Sequence, residues 1–389
     1  MHPRFSIIIP FYEGFPHIEQ CVASVLSQEF AAIEVIIVDD LDPEHTGAAL
    51  DSLYADTPQV KVLHREQNGG TLQARRDGIL AAAGEYILLI DQDDALAVGA
   101  LKALDEELES NPVDILHFKA KVIAESASAQ DASQGMEGFL TPPVRELAGE
   151  EILRKQFAQN GGFDWHVHHK AYAADVAKRA WDIAGDVKLA LTDDIYLCFI
   201  LCVVASTYRA VDGAWYEYHL GRGETLGESY SLDKFKKLCG ADARAHALMR
   251  QFVADYSAEY ERPDYKKRLA DARDRLVEHS MNEMVDNLDL ADRDEAIAFA
   301  LSVWKPDAVA GELWRYVRDR AYHLLATGDY PKRSDTLHRL VRDAECVDSK
   351  VKGKGSKHYR GLRDIAKRHL ADLERNAPPL KRLANRFMR

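Results

Sequence analysis

The sequence predicts an α/β fold in which a mostly parallel sheet is flanked by helices and is followed by an α-helical C-terminal region. Short apolar segments recur through the first 118 residues, with helical stretches between them. The predicted strands are Phe5–Pro10, Ile33–Val38, Val60–His64, Glu85–Ile90 and Val113–Phe118. The predicted connecting helices are His17–Gln28, Glu44–Ala55, Gly70–Ala83 and Ala97–Ser110. Because parallel strands need crossover connections of this kind, the alternation favours a sheet covered on both faces.

The segment Gly84–Asp94 is an apolar run that ends in a group of carboxylates. Its apolar part is typical of a strand buried on both faces, so Asp91, Asp93 and Asp94 are expected at the carboxyl end, where open α/β sheets bind ligands. Clustered carboxylates repel one another unless a cation offsets their charge, and oxygen ligands suit Mg²⁺ or Mn²⁺. A divalent ion on a diphosphate is one interpretation. The alternative is that Asp94 caps a helix over Ala95–Leu108.

Further polar and aromatic residues follow the first three predicted strands. They are Pro10, Tyr12 and Glu13 after the first strand, Asp39 and Asp40 after the second, and Asn68 and Arg75 after the third. An aromatic ring can stack on a base, a carboxylate can accept a hydrogen bond from a base or a ribose hydroxyl, and an arginine can pair with phosphate. Together they predict a nucleotide diphosphate site. Taken singly, each also fits a core aromatic, a turn residue or a solvated helix face.

Five ordered motifs in the first half of the chain resemble the family 2 glycosyltransferases. They are Ser6–Tyr12, Ser24–Gln28, Glu34–Asp40, Asn68–Gly70 with Ala74–Arg75, and Asp91–Asp94. The resemblance implies a GT-A fold and a nucleotide-diphospho-sugar donor, usually a UDP-sugar. It also implies Mn²⁺ or Mg²⁺ as the bound ion.

The resemblance further implies roles for individual residues. The nucleotide is expected to contact Pro10, Tyr12, Glu13, Asp39, Asp40, Asn68, Arg75, Asp91 and Gln92. The metal is expected on Asp93, with Asp91 beside it. Two features depart from the family pattern, because Glu13 stands where Asn is frequent and Leu41–Pro43 replaces a small turn. Both bear on the base and ribose contacts rather than on the fold.

Residues 124–138 are small and polar, and they are predicted to form a surface loop. A histidine-rich segment, His166–His169, follows later in the chain. Histidine runs can bind zinc, but H-x-H-H spacing on a predicted strand supplies no tetrahedral set with a fourth ligand, so zinc is the weaker interpretation. Trp165 is interpreted as a sugar-stacking platform or a core aromatic, and Lys170 matches a lysine common in the family.

The acidic pair Asp193 and Asp194 precedes an apolar helix predicted over Ile195–Ala205. One interpretation is helix capping, because the dipole favours carboxylates at a helix start. The resemblance implies instead that Asp194, the second member of the pair, is the catalytic base, with Asp193 next to it. An inverting transfer needs one carboxylate to take the proton of the acceptor hydroxyl.

Arg222 lies in a glycine-rich segment after a predicted strand pair, Tyr208–Val211 and Trp215–Tyr218. The neighbouring glycines would let this loop fold over the diphosphate and place a cation on the leaving group. His219 is a candidate metal ligand or phosphate donor. The sequence contains no Gln-x-x-Arg-Trp motif of the processive synthases, which favours transfer of a single sugar.

Composition indicates a globular protein of a reducing compartment, with the cytoplasm as the expectation. The five cysteines are scattered without CxxC spacing, and no charged-then-apolar leader precedes the first strand, so no secretion signal is predicted. The longest apolar run has 11 residues, against the roughly 20 that cross a bilayer. The formal net charge is −13, yet residues 350–389 carry 13 Lys and Arg against three acids. An acidic body argues against nucleic acid as a partner, whereas a basic tail can bind an anionic surface.

The predicted domains are a glycosyltransferase domain over 1–230, an α-helical accessory domain over 231–345 and a basic helical tail over 346–389. The first domain divides into a nucleotide-binding half, 1–118, and an acceptor half, 119–230. The accessory domain could bind the acceptor, form a homo-oligomer or brace the catalytic domain. Leucines recur at helical spacing in the tail, so it is either an interfacial helix at the inner face of the plasma membrane or a helix docked on the protein.

The functional hypothesis is a metal-dependent inverting glycosyltransferase that acts on a saccharide or lipid-linked acceptor in surface polysaccharide synthesis. The alternatives are a nucleotidyltransferase and a degenerate domain that serves as a binding module. A nucleotidyltransferase is expected to carry a basic, glycine-rich loop after the first strand, and residues 11–17 are not one. A degenerate module is expected to lack a base and metal carboxylates, whereas Asp93 and Asp194 are both present.

Overall fold

The computed structural model describes residues 2–43, 46–158, 164–189, 191–222, 230–328 and 336–376. The chain divides into two compact units. The first consists of Met1–Glu228 and Arg244–Ala272, and the second of Ser229–Ala243 and Arg273–Arg389. Each unit is described by itself below.

In the described part of the first unit, nine strands form one mixed sheet. They are β1 (Phe5–Phe11), β2 (Ile33–Asp39), β3 (Val60–His64), β4 (Tyr86–Leu89), β5 (Ala95–Leu96), β6 (Ile115–Ala124), β7 (Arg145–Ala148), β8 (Lys170–Ala173) and β9 (Thr207–Leu220). Their order is β3-β2-β1-β4-β8-β6-β9-β5, and β7 also pairs with β9. Strands β1, β2, β3 and β4 run parallel to one another, whereas β8 runs antiparallel to both β4 and β6. The predicted α/β class is thus confirmed.

Helices cover the sheet, and most follow the predicted crossovers. In the part of the chain up to residue 222 that the structure describes, they are α1 (Phe15–Leu26), α2 (Gly47–Tyr54), α3 (Thr71–Ala81), α4 (Ala100–Ser110), α5 (Ala127–Phe139), α6 (Glu150–Gln156), α7 (Ala174–Ala184) and α8 (Asp193–Val204). Every residue of β1 is buried, so this strand lies at the centre of the core. Helix α3 packs closely on it because Gly78 has no side chain: a Cβ there would lie 2.4 Å from Cγ2 of Ile8.

Two local predictions for the middle of the chain are wrong. Residues 127–139 form helix α5 rather than a loop, since Ser126 caps the helix by accepting from the backbone N–H of Ala129. Ala129 is buried and Met136 packs on the core, so a few small contacts suffice to dock this polar helix. The predicted strand pair after residue 207 is one continuous strand, β9. Helix α8 lies where an apolar helix was predicted, and almost all its residues are buried.

Long helices form the rest of the described chain. They are α9 (Leu232–Tyr256), α10 (Tyr265–Asp286), α11 (Arg293–Val303), α12 (Pro306–Thr327), α13 (Thr336–Asp348) and α14 (Lys357–Asn376). Helices α9 and α10 each contribute residues to both units. The predicted limits at residues 230 and 345 therefore differ from the observed division, because a linear boundary cannot represent helices shared in this way. In the described residues, no helix has both the length and the hydrophobicity to span a membrane.

Helix α14 is docked within the second unit. Its buried residues are Tyr359, Leu362, Ala366 and Leu373, and the helix packs against α12. The apolar face that an interfacial helix would insert into lipid is thus covered by protein. The docked interpretation of the tail holds for Lys357–Asn376, and residues 377–389 lie outside the described part of the chain.

Leu362→Ala is expected to lower the free energy of unfolding by about 2–5 kcal/mol, because it removes buried contacts with α12. The exposed Arg368 on the same helix provides the control, and Arg368→Ala should change the free energy by less than about 0.5 kcal/mol. Urea denaturation of the full chain measures both. Equal stability of the two variants, with weaker liposome binding of Leu362→Ala, would instead favour the interfacial helix.

Candidate active site

The candidate active site lies where the parallel strands β1, β2, β3 and β4 end. Because these strands run in the same direction, their carboxyl ends share one edge of the sheet. The loops that follow them carry the predicted nucleotide and metal residues. Helix α8 brings Asp193 and Asp194 to the same place, since Arg75 of α3 contacts both.

Asp40 holds the turn that leads into α3. Its Oδ1 accepts from the backbone N–H of Gly69 at 2.9 Å and from Arg65 at 2.6 Å. Its Oδ2 accepts from the N–H of Gly70 at 2.7 Å, and the Asn68 side chain donates to the Asp40 carbonyl at 3.1 Å. The structure therefore gives both Asp40 and Asn68 a role in positioning this loop.

Asp39 is held by groups that sequence reasoning did not select. Its Oδ2 lies 3.0 Å from Nδ1 of His64, and its Oδ1 accepts from the N–H of Asp42 at 2.9 Å. The hydrogen bond to Asp39 raises the pKa of His64. Asp42 is buried and accepts from the N–H of Glu13 at 2.8 Å. The unusual turn at Leu41–Pro43 thus ties the loop after β2 to the loop after β1.

Gln92 fixes the backbone next to Tyr12. The Tyr12 N–H donates to Oε1 of Gln92 at 2.9 Å, and Nε2 of Gln92 donates to the Tyr12 carbonyl at 2.7 Å. The Tyr12 ring is 41% exposed, so a flat ligand can reach it. Pro10 is buried within β1 and precedes this exposed ring in the chain.

Arg75 joins the predicted metal side of the site to the predicted base. Its guanidinium contacts Asp91 Oδ1 and Asp194 Oδ1, both at 2.7 Å, and Asp193 Oδ2 at 3.5 Å. Burial alone would lower the pKa of Arg75, but the three carboxylates raise it overall. Burial, followed by the charge of Asp194, raises the pKa of Asp193 to about 7. Asp193 can therefore hold a proton near neutral pH, beside the carboxylate of Asp194.

Arg75→Met is expected to destabilise the full chain by about 3–5 kcal/mol at neutral pH, because it leaves clustered carboxylates without their buried cation. The effect should shrink at acid pH as the carboxylates take up protons. Arg76→Met, one residue along the same helix, provides the control. Urea denaturation at neutral and acid pH measures both variants, and an equal loss at the two positions would contradict the role given to Arg75.

Asp94 anchors β9 and does not cap a helix. Its Oδ2 accepts from the Tyr216 hydroxyl at 2.7 Å, and its Oδ1 accepts from the backbone N–H of His219 at 2.8 Å. The capping alternative is wrong because Ala95–Leu96 is strand β5, and the next helix begins at Ala100. Asp94 therefore places His219 close to the acidic segment.

Asp93, His219 and Glu125 lie on or next to this anchor. Burial, followed by the charge of Asp91, raises the pKa of Asp93. Nε2 of His219 is buried and has no hydrogen-bond partner among the described residues. Its Nδ1 lies 2.6 Å from Oε1 of Glu125, which also pairs with Arg222 at 2.8 Å. Arg222 donates to the Asp93 carbonyl at 3.3 Å, whereas Gly223 of the predicted loop lies outside the described residues.

A histidine cluster lies next to the site, and we define it as His117, Asp164, His168 and His169. All four residues are at most 1% exposed. The ring of His168 stacks on Tyr216, with 4.8 Å between the centroids. Residues 166–169 precede β8 and do not form the predicted strand, since His169 has a φ of 46°.

The charges of the histidine cluster are balanced locally. Burial lowers the pKa of His117 well below its usual value and that of His169 to about 4. Burial opposes ionisation of Asp164, but Lys170 and the histidines hold its pKa well below the usual range. The cluster thus contains neutral imidazoles and an ionised carboxylate. Lys170, which the family resemblance singled out, lies 3.4 Å from Asp164 Oδ1.

Trp165 lies at the periphery of the cluster. Its ring meets Phe139 of α5 edge to face, with 5.5 Å between the centroids. Phe139 is 37% exposed, so the pair presents an aromatic surface. A core role for Trp165 and a sugar-stacking role both remain consistent with this placement.

Several residues that build the site escaped the sequence analysis. They are Asp42, His64, Glu125 and Tyr216. His64 is the last residue of a predicted strand and Tyr216 lies within one. Only these positions in strands could have indicated that the two residues belong to the site. Asp42 lies in the unusual turn Leu41–Pro43, which was its signal, whereas Glu125 gave none because its partner His219 is distant in the sequence.

Comparisons with known proteins agree with this architecture. Residues 6–179 match the family model for glycosyl transferase family 2. Glycosyltransferase GlyG of Streptococcus pneumoniae is 29% identical over 175 residues, which are 44% of this chain and 54% of the relative. Uncharacterized glycosyltransferase EpsJ of Bacillus subtilis is 39% identical over 184 residues, 46% of this chain and 51% of the relative. The chain thus spans about half the length of these curated relatives.

A solved structure extends the likeness in fold. Residues 1–349 of Staphylococcus aureus TarS in complex with UDP superpose with a TM-score of 0.53 at 15% identity, covering 94% of this chain and 91% of TarS 1–349. The fold is that of the GT-A type of glycosyltransferase structures. The chain carries a family 2 glycosyltransferase domain.

Proposed function

We propose that the protein transfers a sugar from a nucleotide-diphospho-sugar, in the first place a UDP-sugar, to a saccharide or lipid-linked acceptor in surface polysaccharide synthesis. The observation that carries this proposal is the contact of one buried arginine, Arg75, with Asp91 on one side and Asp194 on the other. Arg75 thus joins Asp91, on the proposed nucleotide side of the site, to Asp194, the carboxylate that would take the proton of the acceptor. Such a pair of functions is what glycosyl transfer requires.

Asp194 is proposed as the general base of an inverting transfer. Its side chain is 18% exposed, against 12% for Asp193, so an acceptor hydroxyl reaches it more readily. The carboxylate would accept the hydroxyl proton while that oxygen attacks the anomeric carbon and the bond to the nucleotide diphosphate breaks. Arg75 orients the carboxylate for this step.

The residues at the acidic edge are proposed to hold a divalent cation such as Mn²⁺ or Mg²⁺. Asp93 and Asp91 supply oxygen ligands, and the buried, unpartnered Nε2 of His219 is available as a nitrogen ligand. Without a cation, burial and the charge of Asp91 raise the pKa of Asp93. A bound ion would supply charge neutralisation of the diphosphate leaving group.

The nucleotide is proposed to lie over the loops after β1 and β2. The exposed Tyr12 ring would stack on the base, and Asp39 would accept from the base or the ribose. Arg222 is proposed to pair with the diphosphate, and its contact with the backbone of Asp93 supports this role. The Trp165–Phe139 pair is proposed as part of the acceptor surface.

The location of the acceptor at a membrane is proposed on charge alone. Lysines and arginines are concentrated in residues 350–376, where α14 buries its apolar face in the protein. Attraction to an anionic cytoplasmic leaflet would then be electrostatic, and salt would weaken it.

A screen of nucleotide sugars with Mn²⁺ or Mg²⁺, read as released nucleoside diphosphate, tests the proposed function. We expect one donor, a UDP-sugar, to be hydrolysed slowly without acceptor and faster with a saccharide acceptor. Release of pyrophosphate from a sugar phosphate and a nucleoside triphosphate would show a nucleotidyltransferase instead.

The raised pKa of Asp193 predicts the pH dependence of the reaction. Below pH 7 Asp193 keeps its proton. As Asp193 ionises, its negative charge strengthens the attraction of the adjacent Asp194 carboxylate for the acceptor proton, so kcat/KM should rise as the pH increases through about 7. Initial rates between pH 5 and 9 measure this, with Asp193→Asn as the comparison. A wild-type profile already flat from pH 5 upwards would contradict this influence of Asp193 on the base.

A further inference from the structure

The histidine cluster contains a closed triangle of potential ligand atoms. Nε2 of His117 lies 3.0 Å from Oδ2 of Asp164, and Nε2 of His169 lies 3.3 Å from the same oxygen. The two Nε2 atoms are 2.9 Å apart. These residues come from β6 and from the segment before β8, and they are separated in the sequence by up to 52 positions.

Hydrogen bonds cannot account for all three edges of this triangle. An ionised carboxylate brings no proton, and each Nε2 brings at most one. If both nitrogens carry protons, both N–H groups point to Oδ2, and the short N···N edge has no hydrogen between its atoms. If one Nε2 carries no proton, the edge between that nitrogen and Oδ2 of Asp164 has no hydrogen between its atoms. Three lone pairs that converge in this way match a cation better than a proton network.

We propose that His117, Asp164 and His169 bind a divalent transition-metal ion, zinc in the first place, at a site separate from the donor site. Zinc–ligand bonds of about 2.0–2.2 Å in a tetrahedron place the ligand atoms about 3.3 Å apart, close to the three observed distances. Two imidazole nitrogens and one carboxylate oxygen are a ligand set that such ions accept. A water molecule would be the fourth ligand.

Hydrogen-bond partners outside the triangle orient the three ligand residues. The Nδ1 of His117 lies 2.7 Å from the Tyr208 hydroxyl, and that of His169 lies 2.7 Å from Nδ1 of His168. With a metal on both Nε2 atoms, each Nδ1 carries the proton and donates to these partners. The second oxygen of Asp164 accepts from the N–H of His166 at 3.0 Å, which turns Oδ2 towards the triangle. Ligand histidines and carboxylates in metalloproteins are typically held by such outer contacts.

The proposed ion would be structural rather than catalytic. The three ligands are at most 1% exposed, and the cluster contacts β9 through His168 and Tyr216. Tyr216 in turn donates to Asp94, the anchor of the acidic edge. The ion would therefore fix the strand that carries His219.

The proposal is tested by measuring the metal content of chains in which Asp93→Ala has removed the proposed metal ligand of the donor site. Full-length wild type, Asp93→Ala, Asp93→Ala with His169→Asn, and Asp93→Ala with His166→Asn are expressed with zinc and desalted. The zinc content is measured by mass spectrometry. We expect about one zinc ion per chain in wild type, in Asp93→Ala and in the His166→Asn control, and no zinc above background in the chain with His169→Asn. His166 is the matched control because its ring is outside the triangle.

A second measurement needs no substitution within the triangle. Removing zinc from Asp93→Ala with a chelator should lower Tm by about 5 °C or more, and Zn²⁺ but not Mn²⁺ should restore it. Cobalt in its place should show visible absorption typical of a tetrahedral site. An Asp93→Ala chain that contains no zinc and gains no stability from added Zn²⁺ would overturn the proposal. Lys170 would then be the cation that balances Asp164.

Discussion

Asp194→Asn is expected to lower the rate of sugar transfer by about 10²–10⁴, because the amide keeps the size of the carboxylate but cannot take the acceptor proton. The amide oxygen can still accept from Arg75, which contacts Asp194 at 2.7 Å, so the fold and nucleotide binding should survive. Initial rates of nucleotide release with donor and acceptor measure the effect, and calorimetric titration of UDP checks that binding is retained.

Asp193→Asn is the matched control, since it lies one position earlier in α8 and has the weaker contact with Arg75, at 3.5 Å. We expect this variant to keep more activity than Asp194→Asn and to shift the pH profile. If Asp193→Asn were inactive and Asp194→Asn active, the roles within the pair would be reversed.

Asp93→Ala is expected to abolish both sugar transfer and metal-dependent nucleotide binding. Removing this carboxylate leaves Asp91 and His219 as the remaining proposed ligands, too few for an ion that prefers several oxygen ligands. Titration of UDP with and without Mn²⁺ measures binding, and nucleotide release measures activity. Asp131→Ala, on the exposed surface of α5, is the control. Full activity of the wild type in EDTA would contradict metal dependence.

The fold and the acidic edge could be predicted because their signals are local. An apolar run followed by carboxylates, as in Gly84–Asp94, specifies both a buried strand and what lies at its end. The periodic spacing of the first four strands and helices was similarly informative. Helix α5 was missed because its docking rests on one buried alanine and a capping serine, which leave no apolar periodicity to detect.

The contacts inside the site could not be predicted, because they join residues that are far apart in the sequence. Arg75 fits a solvated helix face as well as a buried cation until α8 places Asp193 and Asp194 against it. The spacing of His166–His169 alone does not favour zinc, because it supplies no tetrahedral set of ligands. The structure adds His117 from β6 and Asp164, partners that spacing within a short motif cannot reveal.

The central claim is that donor and metal bind at the carboxyl edge formed by Asp91, Asp93 and His219. Anomalous diffraction from crystals of the full chain grown with UDP and Mn²⁺ tests it most directly. We predict a manganese peak within about 2.5 Å of Asp93 and of Nε2 of His219, with the UDP diphosphate beside it and the base against Tyr12. UDP and manganese bound elsewhere on the chain, with this edge empty, would contradict the account.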